Sequence, residues 1–242
     1  MVVFKVLSIF SCVIFSIFAS AQKTNFVKKD TVFVFYLGGQ SNMKGLGKNA
    51  DLPKTLNKTF QSVMIFDGNA VPDNQDGGGL GIWDVLKPGH GSGFRSNGII
   101  NQLSNTFGIE LSFADALLCN FPNKKFAIIK YACNGSSLDS IGTAKFGSWA
   151  PDLKSRDKAF RNQYDFFLQT VQNAFSDKDI NKDGVQDVLI PAGILWMQGE
   201  SDANKTLQIA NSYAANLKRM MDLTRAALRD NNIPIVIGKI SD

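Results

Sequence analysis

The sequence is poor in the residues that build metal centres and disulfide frameworks. Its 242 residues include three cysteines and one histidine, His90. Removing a leader that ends at Ala21 would delete Cys12 and leave Cys119 and Cys133, which allows one disulfide or two buried thiols but no framework. The net charge of +5 is modest. The basic residues are scattered and not clustered with aromatic ones, so the composition argues against nucleic acid as a partner.

Only one long apolar run is present, and it lies at the N-terminus. Lys5 precedes the run Val6–Phe18, which is too short to span a bilayer comfortably. Ala19-Ser20-Ala21 then supplies the small-x-small pattern of a signal-peptidase site. We predict that residues 1–21 are a signal peptide and that residues 22–242 form a secreted or periplasmic protein with no membrane segment. A buried N-terminal strand or helix is the alternative.

The remaining composition is typical of one folded domain. The chain is 44% hydrophobic and 19% charged, and at this size about 70–75% of the unfolded surface can be buried without a disulfide or metal. Three apolar stripes with helical spacing lie within 109–119, 160–175 and 207–228. Strands that alternate with helices predict an α/β fold with a doubly wound sheet. Five apolar runs predict buried parallel strands: Thr31–Leu37, Ser62–Phe66, Phe126–Tyr131, Leu189–Met197 and Pro234–Ile240.

The segment from Gly68 to Asn101 differs from the rest because it is rich in Gly, Asn and Asp. A loop of this length inside a compact domain is usually functional or disordered. It follows the second predicted strand, on the side where such sheets bind ligands. We therefore expect a loop that borders a substrate cleft.

A glycine-rich motif that contains a serine follows the first predicted strand. Gly38-Gly39-Gln40-Ser41-Asn42-Met43 places Ser41 at a strand end, where open α/β sheets bind ligands. A serine there can attack a carbonyl while its own N–H stabilises the oxyanion. A glycine-rich turn with a capping serine is the alternative. The motif is not the nucleophile elbow of α/β-hydrolases, because Met43 stands where the second glycine belongs.

Two further motifs follow the third and fourth predicted strands. Asn134-Gly135-Ser136-Ser137 offers the N–H of Gly135 as a second oxyanion donor. Trp196-Met197-Gln198-Gly199-Glu200-Ser201-Asp202 offers Gln198, a neutral donor that does not titrate. Each motif alone is compatible with an ordinary turn. Together, their positions predict that they meet at one edge of the sheet.

These motifs resemble the sialate O-acetylesterase and carbohydrate acetylesterase group, a branch of the SGNH hydrolases. The resemblance includes Phe107-Gly108-Ile109-Glu110-Leu111-Ser112-Phe113-Ala114 and covers about Thr31 to the end. It implies a three-layer α/β/α sandwich with a flavodoxin-like parallel sheet of about five strands.

The resemblance also assigns roles to individual residues. It implies that Ser41 is the nucleophile, that the oxyanion hole is formed by the N–H groups of Ser41 and Gly135 and the side chain of Gln198, and that the substrate is an acetylated carbohydrate with no required cofactor. Gln40, Asn42 and Glu200 belong to the matching motifs and are expected to contact substrate; for Glu200 a structural hydrogen-bonding role is equally compatible.

One element of the family is missing from the sequence. The catalytic pair of the family arrives as Asp-x-x-His beyond the fifth strand, and these 242 residues contain no such motif. A serine nucleophile needs a base that takes its proton. We therefore expect the chain as given to lack that segment and to be inactive or weak. His90 is expected to face substrate or, alternatively, to substitute as the base. A catalytically inactive carbohydrate-binding protein is the competing functional hypothesis.

An acidic segment before the fourth strand resembles the opening of an EF-hand-type calcium loop. Asp179, Asn181 and Asp183 alternate with other residues, Gly184 follows Asp183, and Asp187 comes four positions after Asp183. The final bidentate Glu of such a loop is replaced by Ile190. A structural calcium ion bound by these four residues is therefore one hypothesis, and a solvated acidic turn is the other.

Overall fold

The structure is a computed structural model, and it describes residues 29–71, 75–142, 146–152 and 161–240. The predicted signal peptide lies outside these residues. The strands are β1 (Thr31–Gly39), β2 (Gly47–Lys48), β3 (Phe60–Asp67), β4 (Trp83–Leu86), β5 (Arg95–Ser96), β6 (Asn101–Gln102), β7 (Thr106–Phe107), β8 (Lys125–Ala132), β9 (Val188–Met197) and β10 (Ile235–Ile237). The helices are α1 (Ser41–Lys44), α2 (Glu110–Asn120), α3 (Gln163–Ser176), α4 (Glu200–Ala203) and α5 (Leu207–Ala227).

A six-stranded sheet forms the centre, with the strand order β10-β9-β1-β8-β3-β4. The first five strands in this order are mutually parallel, and β4 pairs antiparallel with β3 at one edge. The predicted α/β sheet of about five parallel strands is therefore confirmed. The prediction of a continuous loop over 68–101 is wrong, because it missed β4 and the two-residue strand β5. Strands of four and two residues next to glycine-rich turns give almost no pattern in the sequence.

Both faces of the sheet are covered, which makes three layers. Successive side chains of a strand point to opposite faces, and β1 shows this alternation. Val32, Val34 and Tyr36 belong to one core cluster with residues of α3 and α5, whereas Leu37 belongs to a second cluster with residues of α2. The helices predicted over 109–119 and 207–228 are found as α2 and α5. The start of the middle stripe, at Phe160, lies outside the described residues.

The edge strand β10 is shorter than predicted. Only Ile235–Ile237 pairs with β9, whereas the sequence predicted a buried strand over Pro234–Ile240. Val236 is 63% exposed and Ile237 is 49% exposed, because β10 has a hydrogen-bonded neighbour on one side only. A run of apolar residues therefore did not distinguish a central strand from an edge strand.

The structure also shows the state of two cysteines and the character of its helices. Among the described residues, Cys119 and Cys133 are free thiols; Cys133 is buried and Cys119 is exposed on α2, so these two residues form neither a disulfide nor a pair of buried thiols. None of the helices in the described ranges is long and apolar enough to cross a membrane.

Candidate active site

The motifs that follow β1, β8 and β9 meet at the carboxyl edge of the sheet. These strands are neighbours, with β1 between the other two. Beyond the regular pairing, the backbone N–H of Gln40 donates to Met197 O at 2.8 Å, and the N–H of Cys133 donates to Gly39 O at 3.1 Å. The chain segments that carry Ser41, Gly135 and Gln198 are therefore fixed to one another by backbone hydrogen bonds.

A sharp turn at Gly39 presents Ser41. Gly39 has φ = 142°, and a Cβ atom at this position would lie 2.0 Å from Met197 O, so only glycine fits. Ser41 then begins the four-residue helix α1, in which Lys44 N–H donates to Gln40 O at 2.7 Å. The side chain of Gln40 is buried, and Ser41 is half-buried. The serine is accessible, whereas the residue before it is part of the interior.

Gln198 is buried, and its amide nitrogen is surrounded by acceptors. Nε2 lies 2.6 Å from Asp202 Oδ2, 3.1 Å from Ser136 O and 3.4 Å from Gln40 Oε1. The carboxylate requires the nitrogen and not the oxygen on this side. Oε1 of Gln198 is buried without a hydrogen-bond partner among the described residues. The two N–H groups of the Gln198 amide thus face three acceptor oxygens of the protein. The carbonyl oxygen of a bound ester would have to replace one of these acceptors.

Asp202 was not singled out from the sequence, yet it joins two of the motifs. Its side chain is fully buried and accepts hydrogen bonds from Gln198, from Leu138 N at 3.0 Å and from Asp139 N at 2.9 Å. Burial raises the pKa of Asp202, although the three hydrogen bonds oppose this shift. One carboxylate therefore holds the Gln198 amide against the turn that follows Gly135.

The Gly135 turn adopts a left-handed conformation with φ = 69°. A Cβ atom at Gly135 would lie 2.7 Å from the Phe146 ring, so the ring covers the glycine closely. The hydroxyl of the buried Ser136 donates to Cys133 O at 2.8 Å and accepts from Trp149 Nε1 at 2.9 Å. The turn is thus anchored on the side away from the solvent.

Glu200 is hydrogen-bonded to the residue next to the serine. Asn42 Nδ2 donates to Glu200 Oε1 at 2.6 Å. Glu200 Oε2 is buried and has no hydrogen-bond partner among the described residues. Asn42 and Glu200 therefore lie at the serine together, and the contact with substrate predicted for them stays a prediction. Tyr213 of α5 donates to Gln198 O, next to this pair.

His90 does not face a cleft, in contrast to the prediction from the sequence. Its side chain is fully buried, its ring stacks on Phe94 with 4.8 Å between centroids, and Nδ1 lies 3.6 Å from Asp67 Oδ2. The ammonium of Lys44 also reaches Asp67, at 3.3 Å. Burial would raise the pKa of Asp67, but the Lys44 ammonium, together with His90 and Lys130, lowers it below its ordinary value. The ion-paired Asp67 carboxylate lies beside the ring, although neither ring nitrogen of His90 has a hydrogen-bond partner among the described residues.

Three buried charged residues that the sequence reasoning missed lie beside His90. They are Asp67, Glu110 and Lys130, all without exposed surface. Lys130 could have been found, since a lysine within the apolar run Phe126–Tyr131 is a buried charge if the run is a central strand. Its partners could not have been found from one sequence, because they are distant along the chain.

The acidic segment forms a compact loop. Asp179 accepts from the backbone N–H groups of Asp183 at 3.0 Å and Gly184 at 2.9 Å, and Asn181 Nδ2 donates to Asp183 Oδ2 at 2.9 Å. Asp187 accepts from Ile180 N at 3.1 Å. Across the described ranges, no group of three or more His, Cys, Asp or Glu side chains is gathered as a metal site. Calcium binding stays a prediction.

The layers of the fold and the serine-bearing edge of the sheet define an α/β protein of the SGNH hydrolase type. A family profile described as carbohydrate esterase, sialic acid-specific acetylesterase, matches residues 31–242. The chain therefore belongs to this family of acetylesterases, as its motifs predicted. No curated protein sequence matches the chain.

Two solved structures share the fold. The crystal structure of NanS has a TM-score of 0.53 at 17% identity, over 89% of this chain and 69% of the other. That of a carbohydrate acetylesterase from Xanthomonas citri has a TM-score of 0.55 at 19% identity, over 85% of this chain and 41% of the other. The chain thus matches less than half the length of the second protein. At these identities the likeness concerns the fold.

Proposed function

We propose that the chain hydrolyses acetyl esters on carbohydrates with Ser41 as the nucleophile. The observation that carries the proposal is the meeting of the Ser41, Gly135 and Gln198 segments at one sheet edge, where Gln198 Nε2 lies 3.1 Å from Ser136 O. Membership of the acetylesterase family supports the acetyl group and the sugar. An acetylated sialic acid or a xylan-type sugar is the substrate class that follows.

In the proposed reaction, Ser41 Oγ attacks the acetyl carbonyl carbon and forms a tetrahedral oxyanion. The N–H groups of Ser41 and Gly135 stabilise that charge. Gln198 supplies a third donor when the oxyanion replaces Gln40 Oε1, the most distant of its three acceptors. The bond from the carbonyl carbon to the sugar oxygen then breaks, and that oxygen takes up the proton that Ser41 lost. Water attacks the acetyl-serine, acetate is released, and a proton of that water returns to Ser41 Oγ.

The proton of Ser41 needs a base, and His90 does not suit that role. Its ring is fully buried beside Asp67 and Phe94, and it is the one histidine in these 242 residues. We therefore propose that proton removal is slow in this chain and that its ester turnover is low. Losing the histidine of a serine triad typically costs on the order of 10⁶ in kcat, with a remainder of about 10³–10⁴ over water from the oxyanion hole and binding.

The test is release of acetate from p-nitrophenyl acetate, O-acetylated sialic acid and acetylated xylan. Ser41→Ala should lower turnover below that of the wild type, to no more than the remainder that the oxyanion hole and substrate binding supply. Ser62→Ala, an exposed serine at the start of β3, is the matched control and should not change it. Equal activity of Ser41→Ala and wild type would remove Ser41 as the nucleophile. A folded protein that binds acetylated sugar and releases no acetate would instead assign carbohydrate binding.

We also propose that the mature protein acts outside the cytoplasm, because the sequence pattern of residues 1–21 is that of a signal peptide. N-terminal sequencing of the protein recovered from the medium or periplasm tests this. A start at Gln22 is expected, whereas an intact Met1 in the cytosolic fraction would contradict it.

A further inference from the structure

A buried lysine lies beneath the helix that begins at Ser41. Lys130, in β8, has no exposed surface. An ammonium group carries three N–H donors, and Lys130 Nζ has three acceptors: Glu110 Oε2 at 2.7 Å, His90 O at 2.7 Å and Lys44 O at 3.0 Å. Every donor is therefore used. Burying such a charge is costly unless it is paired and hydrogen-bonded throughout.

Two of these acceptors belong to the segments that surround the serine. Lys44 is the last residue of α1, so its carbonyl is one of those that a helix end leaves without an intrahelical partner. His90 leads into Ser92, whose N–H donates to Gly45 O at 2.8 Å and whose Oγ accepts from Asn134 Nδ2 at 3.1 Å. The ammonium thus ties the end of α1 and the neighbouring loop to the central strand β8.

Glu110 is the third acceptor of Lys130 and connects it to the loop at Gly108. Its Oε1 accepts from Gly108 N at 2.8 Å, while Oε2 holds Lys130. Gly108 packs directly on Gly45, since a Cβ atom at Gly45 would lie 2.3 Å from Gly108 N. The residue after α1 is therefore enclosed between the loop at Gly108 and the lysine.

We propose that Lys130, held by Glu110, is a positioning residue for Ser41. It acts through the Lys44 carbonyl, which fixes the four-residue helix that presents the nucleophile. Such a short helix has too few internal hydrogen bonds to hold its own position, and a nucleophile displaced by about 1 Å can lose a hundredfold in rate. The inference rests on the proposed function, in which Ser41 is the nucleophile.

The test variant is Lys130→Met combined with Glu110→Gln. It removes both charges, so no uncompensated ion remains, and the new amide oxygen can still accept from Gly108 N. The hydrogen bonds lost are the three that the ammonium donates, to the carbonyls of Lys44 and His90 and to the Glu110 carboxylate. Replacing both members of a buried ion pair is often neutral for stability, whereas removing one is strongly destabilising. Lys58→Met with Asp115→Asn is the matched control, because it removes an exposed pair at 2.8 Å that also involves α2.

Hydrogen exchange of single backbone amides is the first measurement, since it needs no esterase activity. In the Lys130/Glu110 double variant, the amides of Lys44 and Gly45 should exchange at least about tenfold faster, while those of β1 and β8 keep their rates. The second measurement is ester turnover, in which kcat should fall at least about tenfold with KM within about twofold. The control variant should change neither quantity.

Unchanged exchange at Lys44 and Gly45 in the folded double variant would overturn the proposal, because the pair would then serve stability alone. If that variant does not fold, hydrogen exchange of the wild-type protein tests the proposal. A tethered α1 predicts that the amides of Lys44 and Gly45 exchange only together with β8 as denaturant is added; faster, denaturant-independent exchange would overturn it. Wild-type protein without esterase activity would refute the proposed function and leave the exchange test intact.

Discussion

Replacing Asp67 by asparagine should destabilise the protein by about 3–5 kcal/mol at pH 7, the range seen when one member of a buried ion pair is removed. Asp67 has no exposed surface and the Lys44 side chain is 11% exposed, with 3.3 Å between Nζ and Oδ1. At an effective dielectric constant of about 20, that separation corresponds to a Coulomb attraction of about 5 kcal/mol. Asparagine keeps the shape but leaves the Lys44 ammonium without a counter-charge.

The pH dependence of this effect has a defined sign. Since the Lys44 ammonium and the neighbouring His90 and Lys130 lower the pKa of Asp67 in spite of its burial, the ionised carboxylate stabilises the fold at every pH above the unfolded value of about 3.9. This stabilisation is lost as the pH falls through the lower folded-state value. The difference in the free energy of unfolding between wild type and Asp67→Asn should be constant from about pH 7 to pH 5. It should become smaller only below about pH 4.

The assay is urea unfolding of both proteins at several pH values, with the free energy of unfolding extrapolated to water. Asp115→Asn, which breaks the exposed pair with Lys58, is the control and should cost less than about 1 kcal/mol. A cost for Asp67→Asn as small as that of the control would refute the buried-pair reasoning. A difference in unfolding free energy that already narrows between pH 7 and 5 would contradict the lowered pKa of Asp67.

Three further predictions concern the site and the acidic loop. Gln198→Ala should lower kcat by about 10²–10³, the cost of one oxyanion donor, whereas steady-state kinetics within twofold of wild type would exclude Gln198 from the reaction. His90→Phe should keep the residual ester turnover within tenfold; loss of all turnover in a folded protein would make His90 the base. Millimolar Ca²⁺ added to chelated protein should raise Tm if the loop binds it, and Asp183→Ala should abolish the rise; a melt insensitive to chelator would leave the loop as a solvated turn.

The local and periodic features of this protein could be predicted from its amino-acid sequence. Apolar runs such as Phe126–Tyr131 predicted the parallel strands, because a strand covered on both faces must be apolar throughout. The same reasoning placed Ser41, Gly135 and Gln198 just beyond strand ends, and parallel strands bring such positions to one edge. These predictions needed only the pattern of residues that are close together in the sequence. They failed at β4 and β10, where a short edge strand and an exposed one leave weak or misleading patterns.

The buried charges and their partners, in contrast, became evident from the folded structure. His90 lies in a glycine-rich segment that predicts an exposed loop, yet its ring is buried between Asp67 of β3 and Phe94. Lys130 finds Glu110 twenty residues before it and the Lys44 carbonyl eighty-six residues before it. Asp202 joins Gln198 to the turn after β8. Each of these contacts depends on strand order and side-chain packing, which bring together residues whose separation along the chain carries no local signal.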